Sequence, residues 1–387
     1  MNKKIYGLLA LFIVAATVLS ACGAAATPTA MPATAMPAAT TAAMPAATTA
    51  PAMPAAGKIA LLLPETKTAR YEADDLPMFK AELTKDGYDV TNMIYSNANQ
   101  DASAQQQQAE AALTNGAKVL VLDPVDSAAA AAIADAAKAQ NVPVISYDRL
   151  ITGSANVSYY ISFDNVQVGK LQATALMTAL SGVTNPTIVM INGSPTDHNA
   201  LLFKQGAHSV FDPLVTAGKL TIAKEYDTPD WSPDQAQTEM TQALTALNNK
   251  VDGVYAANDG TAGGAFAAMK AAGITTFPPL TGQDAQVDGI QRIISGEQYV
   301  TIYKAFLPEA NAAADLAYDL ATGTAVPSTM VTGTTNNGSV DVPSILLTPV
   351  AVTKDNVEST VIADGFWKVS DICTADFAAA CAAAGVK

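Results

Sequence analysis

Side chains able to grip a small polyhydroxylated molecule recur at one kind of place in this sequence, just after short apolar runs. Lys67, Arg70 and Tyr71 follow the run 58–64, Asp148 and Arg149 follow 142–147, and Asp197 and Asn199 follow 187–191. Farther on, Trp231 follows 221–225, Asn258 and Asp259 follow 253–256, Gln283 and Asp284 follow 279–281, and Lys304 follows 299–303. Carboxylates such as Asp148 and Asp284 accept hydrogen bonds from hydroxyls. Arg70, Arg149, Lys304 and the amides of Asn199 and Asn258 donate to oxygens, and the charge-assisted bonds are the stronger kind. Tyr71 and Trp231 supply flat faces for the C–H side of a ring, so the set suits a sugar. Taken singly, each residue has a structural reading as well: a helix cap, a solvated surface charge or a core tryptophan. Their recurrence at the same end of successive runs favours the ligand-binding one.

Other chemistries fit less well. The only histidines are His198 and His208, and the three cysteines do not cluster with them, so neither a metal site nor a cofactor is expected. The rival from another class is a glycoside hydrolase with Asp148 and Asp284 as its carboxylate pair. Such a pair needs one raised pKa, whereas Arg70, Arg149 and Lys304 nearby would keep both carboxylates ionised. Binding without catalytic turnover is therefore expected. No phosphate-binding loop of the ATPase pattern occurs, so any energy for transport must come from a separate subunit.

The elements that must position these residues alternate. Short apolar runs, typical of parallel strands covered on both faces, begin at 58, 90, 119, 142, 159, 187, 221, 253, 279 and 299. Helical patterns lie between them at 104–115, 127–140, 166–180, 233–247 and 264–272, and Gly116, Asn141, Gly182 and Gly273 sit where helices should stop. This alternation predicts an α/β fold with two doubly wound parallel-sheet lobes joined by a hinge, since one sheet of that many strands would be unusually wide. A composition change after Tyr159–Asp164 marks the first passage between lobes. The expected division is 57–164 plus about 305–330 for the N-terminal lobe and 165–304 plus about 331–370 for the C-terminal lobe, with a tail at 371–387. The ligand cleft then lies between strand C-terminal ends.

Residues 1–21 read as a signal peptide: Lys3 and Lys4, an apolar run at 8–18, then Leu19-Ser20-Ala21 before Cys22. Leu-Ser-Ala-Cys resembles the lipobox of bacterial lipoproteins, which makes Cys22 the lipidated residue and the chain membrane-anchored rather than membrane-spanning. The stretch 22–56, almost wholly Ala, Thr, Pro and Met, has too little to bury and reads as a tether. In an extracytoplasmic, oxidising location Cys373 and Cys381 are expected to form a short-loop disulfide. The formal charge of −14 becomes −16 once Lys3 and Lys4 leave with the leader, and an acidic exterior argues against nucleic acid as a partner.

Particular segments carry a family resemblance. Ile145-Ser146-Tyr147-Asp148-Arg149, Gly193-Ser194-Pro195-Thr196-Asp197-His198-Asn199, Ala257-Asn258-Asp259-Gly260, Gly282-Gln283-Asp284 and Ile302-Tyr303-Lys304 resemble those of periplasmic sugar-binding proteins of the type I fold, the substrate-binding family of ABC importers. Within that family the Ser-Pro-x-Asp-x-Asn segment, with Gly-Gln-Asp and Tyr-Lys, is similar to the xylose-binding group. The resemblance implies ligand contacts at Arg70, Asp148, Arg149, Asn199, Asn258, Asp284 and Lys304, an aromatic wall at Trp231, and a less firmly implied place for Asp197. It implies D-xylose as ligand, with glucose, arabinose and ribose as alternatives. The implied partners are ABC permease subunits with a separate ATPase, with a chemoreceptor as a further one. Tyr71 departs from the larger aromatic expected in such proteins, and His198 is expected to face solvent.

Overall fold

The computed structural model describes residues 56–387; the leader, Cys22 and all but the last residue of the tether lie outside the described residues. The first lobe opens with β1 (Lys58–Leu63), α1 (Leu76–Lys85), β2 (Ile94–Asn97), α2 (Ala102–Thr114), β3 (Ala117–Leu122), α3 (Ala131–Ala139), β4 (Val144–Tyr147) and β5 (Tyr159–Phe163). The second continues with α4 (Asn165–Ala179), β6 (Thr187–Asn192), α5 (His198–Thr216), β7 (Thr221–Asp227), α6 (Pro233–Ala246), β8 (Gly253–Ala256), α7 (Asp259–Ala271), α8 (Val287–Ser295) and β9 (Thr301–Tyr303). The chain then returns through α9 (Phe306–Thr322), β10 (Gly333–Asn336) and β11 (Asp341–Leu347). It crosses a last time to β12 (Val350–Val352) and ends in the short helices α10 (Val369–Ile372) and α11 (Ala378–Ala384).

The first sheet has the order β10-β11-β5-β4-β3-β1-β2, parallel throughout except for the β10–β11 pair. Its central strands are apolar on both faces because helices cover both. The second sheet runs β7-β6-β8, extends through a single bridge between Val254 and Leu280, and reaches β9 and β12 through another between Gln283 and Ile302. None of the described helices is long and apolar enough to cross a membrane.

Several expectations need correction. Residues 333–347 were assigned to the C-terminal lobe, but β11 pairs in parallel with β5 in the first sheet, Ser344 beside Tyr160. The cause is the strand's burial pattern: Val342, Ser344 and Ile345 are buried, and Val342 fills the same core cluster as Tyr160. The run beginning at 90 starts as a short 3₁₀ turn, Val90–Asn92, because Asp89 accepts from the Thr91 backbone N–H; the strand begins only at Ile94. The run at 279–281 forms one bridge at Leu280 rather than a full strand. Gly116, Asn141 and Gly273 follow helix ends in the left-handed region, whereas Gly182 does not.

Candidate functional site

Arg70, Tyr71, Asp148, Arg149, Asp197, Asn199, Trp231, Asn258, Asp284 and Lys304 all line one cavity between the lobes. Each lies at the C-terminal end of a strand or bridge or in the turn or helix start that follows it, which explains how residues far apart in sequence converge. Two of the carboxylates sit on unusual backbone: Asp148 has φ 52° and Asp284 φ 88°, followed by Ala285 at 51°. Non-glycine residues pay for that conformation, and such positions concentrate at functional sites.

Asp148 is the electrostatic centre. Its Oδ1 lies 3.2 Å from an Arg70 guanidinium nitrogen and 3.4 Å from Lys304 Nζ, and its Oδ2 accepts from the Tyr71 hydroxyl at 3.0 Å. Burial alone would raise this carboxyl, but Arg70, Lys304 and Arg149 outweigh it and hold it well below the usual carboxylate range. Lys304 also lies 3.4 Å from Asp284, and although burial would lower the ammonium, Asp148 and Asp284 raise it. Arg70 is fixed by Asp75, at 2.6 and 2.9 Å, and by Glu309 at 2.7 Å. It stacks over the Phe306 ring, 3.9 Å from the centroid.

Arg149 is held differently. It donates to the Tyr71 hydroxyl at 3.1 Å and the Pro124 carbonyl at 3.3 Å. Its Nε lies 3.1 Å from Asp197, and Glu65 and Asp123 are each 3.5 Å away. Asp197 caps α5 through the Asn199 N–H and accepts from Trp231 Nε1 at 3.0 Å, so it is a holding residue as much as a lining one. Trp231 meets Phe203 edge-on, and a Cβ on Gly193 would come within 2.0 Å of its ring, so only glycine leaves room for the indole. Asn199 donates to the Asp148 carbonyl at 2.9 Å, while Asn258 caps α7, its Oδ1 accepting from the Thr261 N–H at 2.8 Å.

Tyr71 differs from expectation. Both guanidinium carbons lie over its ring, Arg70 at 5.2 Å and Arg149 at 5.5 Å, so cations already occupy the stacking surface read from its sequence position. Its hydroxyl links Arg149 to Asp148. His198 is half-buried, not solvent-facing, and its backbone N–H donates to Ser127 Oγ. Cys373 and Cys381 are joined as a disulfide, and Cys22 lies outside the described residues.

Sequence reasoning left out Phe203 from the lining and Glu65, Asp75, Asp123 and Glu309 from behind it. Glu65 and Asp123 follow β1 and β3 closely, so the strand-end rule could have found them. Phe203 lies on α5, a helix whose pattern was not recognised.

Buried acids give the stability a definite pH dependence. Burial pushes the Asp259 carboxyl up to about 7, against the opposing pull of Arg292, and it also raises Glu309. Both folded values lie above the unfolded ones near 4. The folded state therefore binds more protons across that interval, and stability falls as pH rises through it. Asp148 has the opposite sign: its contribution is complete above the unfolded value and is lost only as pH falls through the depressed folded value. Thermal melts are expected to give a Tm higher at pH 5 than at pH 8 by about 5 °C or more. A Tm that is flat or rises over that range would contradict the assignment.

A model for the periplasmic binding protein domain matches residues 59–325. The chain is 38% identical over 316 residues to the D-xylose-binding periplasmic protein of Escherichia coli K12, covering 81% of this chain and 92% of that one. It is 35% identical over 329 residues to the multiple sugar-binding periplasmic receptor ChvE of Rhizobium radiobacter, with the same coverage of 81% and 92%. A carbohydrate transporter solute-binding protein from Chloroflexus aurantiacus, solved in complex with D-glucose, superposes with a TM-score of 0.75 at 32% identity, covering 81% of this chain and 97% of that one. With two α/β lobes flanking a charged cleft, the chain belongs to the periplasmic binding protein family and has its type I fold.

Proposed function

We propose that this chain is the extracytoplasmic substrate-binding protein of a sugar ABC importer, anchored by a lipid on Cys22, and that D-xylose is its ligand. The observation that carries the reading is the cavity itself. Acceptors on Asp148 and Asp284 converge with donors on Arg70, Arg149, Lys304, Asn199 and Asn258, beside the Trp231 and Phe203 rings. The 38% identity to a D-xylose-binding protein supports the choice of sugar.

The lobes are in direct contact across the mouth of the cleft. Lys67 pairs with Asp230 at 3.4 Å, Gln100 donates to the Asp230 carbonyl at 3.0 Å, and the Ser127 N–H donates to the Thr196 carbonyl at 3.0 Å. In the proposed cycle an open form admits the sugar. The sugar bridges both lobes and biases the hinge toward this closed arrangement, which presents it to the permease subunits. The tether sets the reach from the membrane. Hydrolysis is disfavoured, because Asp148 is held ionised and paired to two cations, whereas a general acid must carry a proton.

Isothermal titration of the segment from Gly57 with D-xylose, D-glucose, L-arabinose and D-ribose tests the reading. One-to-one binding strongest for D-xylose is expected. Preference for another of these sugars, as the multiple sugar-binding relative and the D-glucose complex make plausible, would keep the transport role and change its cargo. No heat with any of them would refute a monosaccharide site.

A further inference from the structure

The residues that touch the cavity are held in place by a dipeptide more than sixty positions downstream of most of them. Trp367 donates its indole N–H to the Ala285 carbonyl at 2.7 Å, and among the described residues no other group donates to that carbonyl. Ala285 follows Asp284, and both stand at positive φ. The remaining bonds of this turn go inward: the Asp284 N–H to the Ile302 carbonyl, the Ala285 N–H to Thr301 Oγ1 and the Gln286 N–H to Asp259. Trp367 is therefore the one outer tie on a conformation that an aspartate does not adopt cheaply.

Its neighbour Phe366 reaches the rest of the site. Phe366 packs on Tyr303, next to Lys304, with centroids 5.0 Å apart, and on Phe306 at 5.3 Å. Phe306 is the ring beneath the Arg70 guanidinium. One dipeptide thus backs Asp284, Lys304 and Arg70, which come from both lobes. The segment carrying it is anchored on α8: Ile372, Cys381 and Val386 pack with Ile290, Ile293 and Ile294, Gln291 donates to the Ile372 carbonyl at 3.1 Å, and the Cys373–Cys381 disulfide closes the end.

We infer that Phe366 and Trp367 are positioning residues for the sugar site, and that the disulfide-closed C-terminal segment is a working part of that site and not an appendage. The inference rests on the monosaccharide reading above, and its test keeps the two apart. Trp367→Phe keeps a ring and removes only the N–H donor, leaving a buried carbonyl unpaired. Its affinity for the best-bound sugar of the panel should fall about tenfold. Deoxy analogues of that sugar separate positioning from general loosening. The analogue that binds Asp284→Asn and wild type alike lacks the hydroxyl that Asp284 holds, and it should also bind Trp367→Phe and wild type alike. The Cys373→Ala/Cys381→Ala double variant, checked for cooperative unfolding, should lose affinity in the same hydroxyl-selective pattern. Wild type that binds no sugar sinks the monosaccharide reading. Wild type that binds, with Trp367→Phe unchanged or weakened equally toward every analogue, overturns the positioning role alone.

Discussion

Asp148→Ala is expected to abolish measurable sugar binding and to cost about 3–5 kcal/mol of stability, the usual penalty for leaving a buried charge without its partner. The side chain is 4% exposed and is the shared counter-ion of Arg70 and Lys304, which are themselves 1% and 3% exposed. Without it, Lys304 keeps only Asp284, while Arg70 keeps Asp75 and Glu309 but loses its partner on the cavity side. The Tyr71 hydroxyl loses its acceptor as well. The two cations, now less well compensated, also face any incoming sugar without the carboxylate that would accept from its hydroxyls. Titration calorimetry and urea denaturation measured on the same variant give both quantities. Binding within tenfold of wild type, or an unchanged urea midpoint, would contradict the central place given to this carboxylate.

Arg149→Lys preserves charge and is still expected to lose about 2–4 kcal/mol of stability, along with most of the sugar affinity, because an ammonium cannot reproduce a planar fork. The guanidinium serves the Tyr71 hydroxyl, the Pro124 carbonyl and Asp197, with Glu65 and Asp123 close behind. Burial already pushes the Asp123 carboxyl well up, against the opposing pull of Arg149, and neither of its oxygens has a hydrogen-bond partner among the described residues. A shorter-reaching cation leaves Asp123 and Glu65 more poorly compensated still. The loss should therefore be larger at pH 8 than at pH 5, since the raised Asp123 carboxyl is driven to ionise as pH rises. Equal urea midpoints for lysine and arginine at both pH values would show that charge alone is needed.

The cavity-lining residues were legible because parallel α/β sheets place their loops by rule. Knowing that 142–147 is a strand is enough to put Asp148 and Arg149 at the cleft. The rule does not say which strand-end residue faces the cavity and which stands behind it. Glu65 and Asp123 look in sequence like ordinary caps, yet both hold Arg149. Tyr71 reads as a stacking ring until the two guanidinium groups over it are seen. The positive φ of Asp148 and Asp284 leaves no compositional trace, since neither is glycine. The lobe boundary near 330 was misplaced for a different reason. Nothing local in Gly333–Asn336 or Asp341–Leu347 says which sheet has an open edge, and that depends on β5 having no other neighbour on that side. The link from Phe366 and Trp367 to Asp284 is likewise a matter of tertiary packing across some eighty residues.

The strand order also bears on the order of synthesis. The first sheet begins at residue 58 yet gains β10 and β11 only at 333–347, and the second gains β12 at 350–352. Neither lobe is complete until nearly the whole polypeptide exists. Contacts this distant in sequence form slowly, because the intervening loop must first close. A chain emerging from its N-terminal end therefore has no finished domain to lock shut while the rest is still being made. Folding deferred until late in synthesis suits the extracytoplasmic destination proposed above.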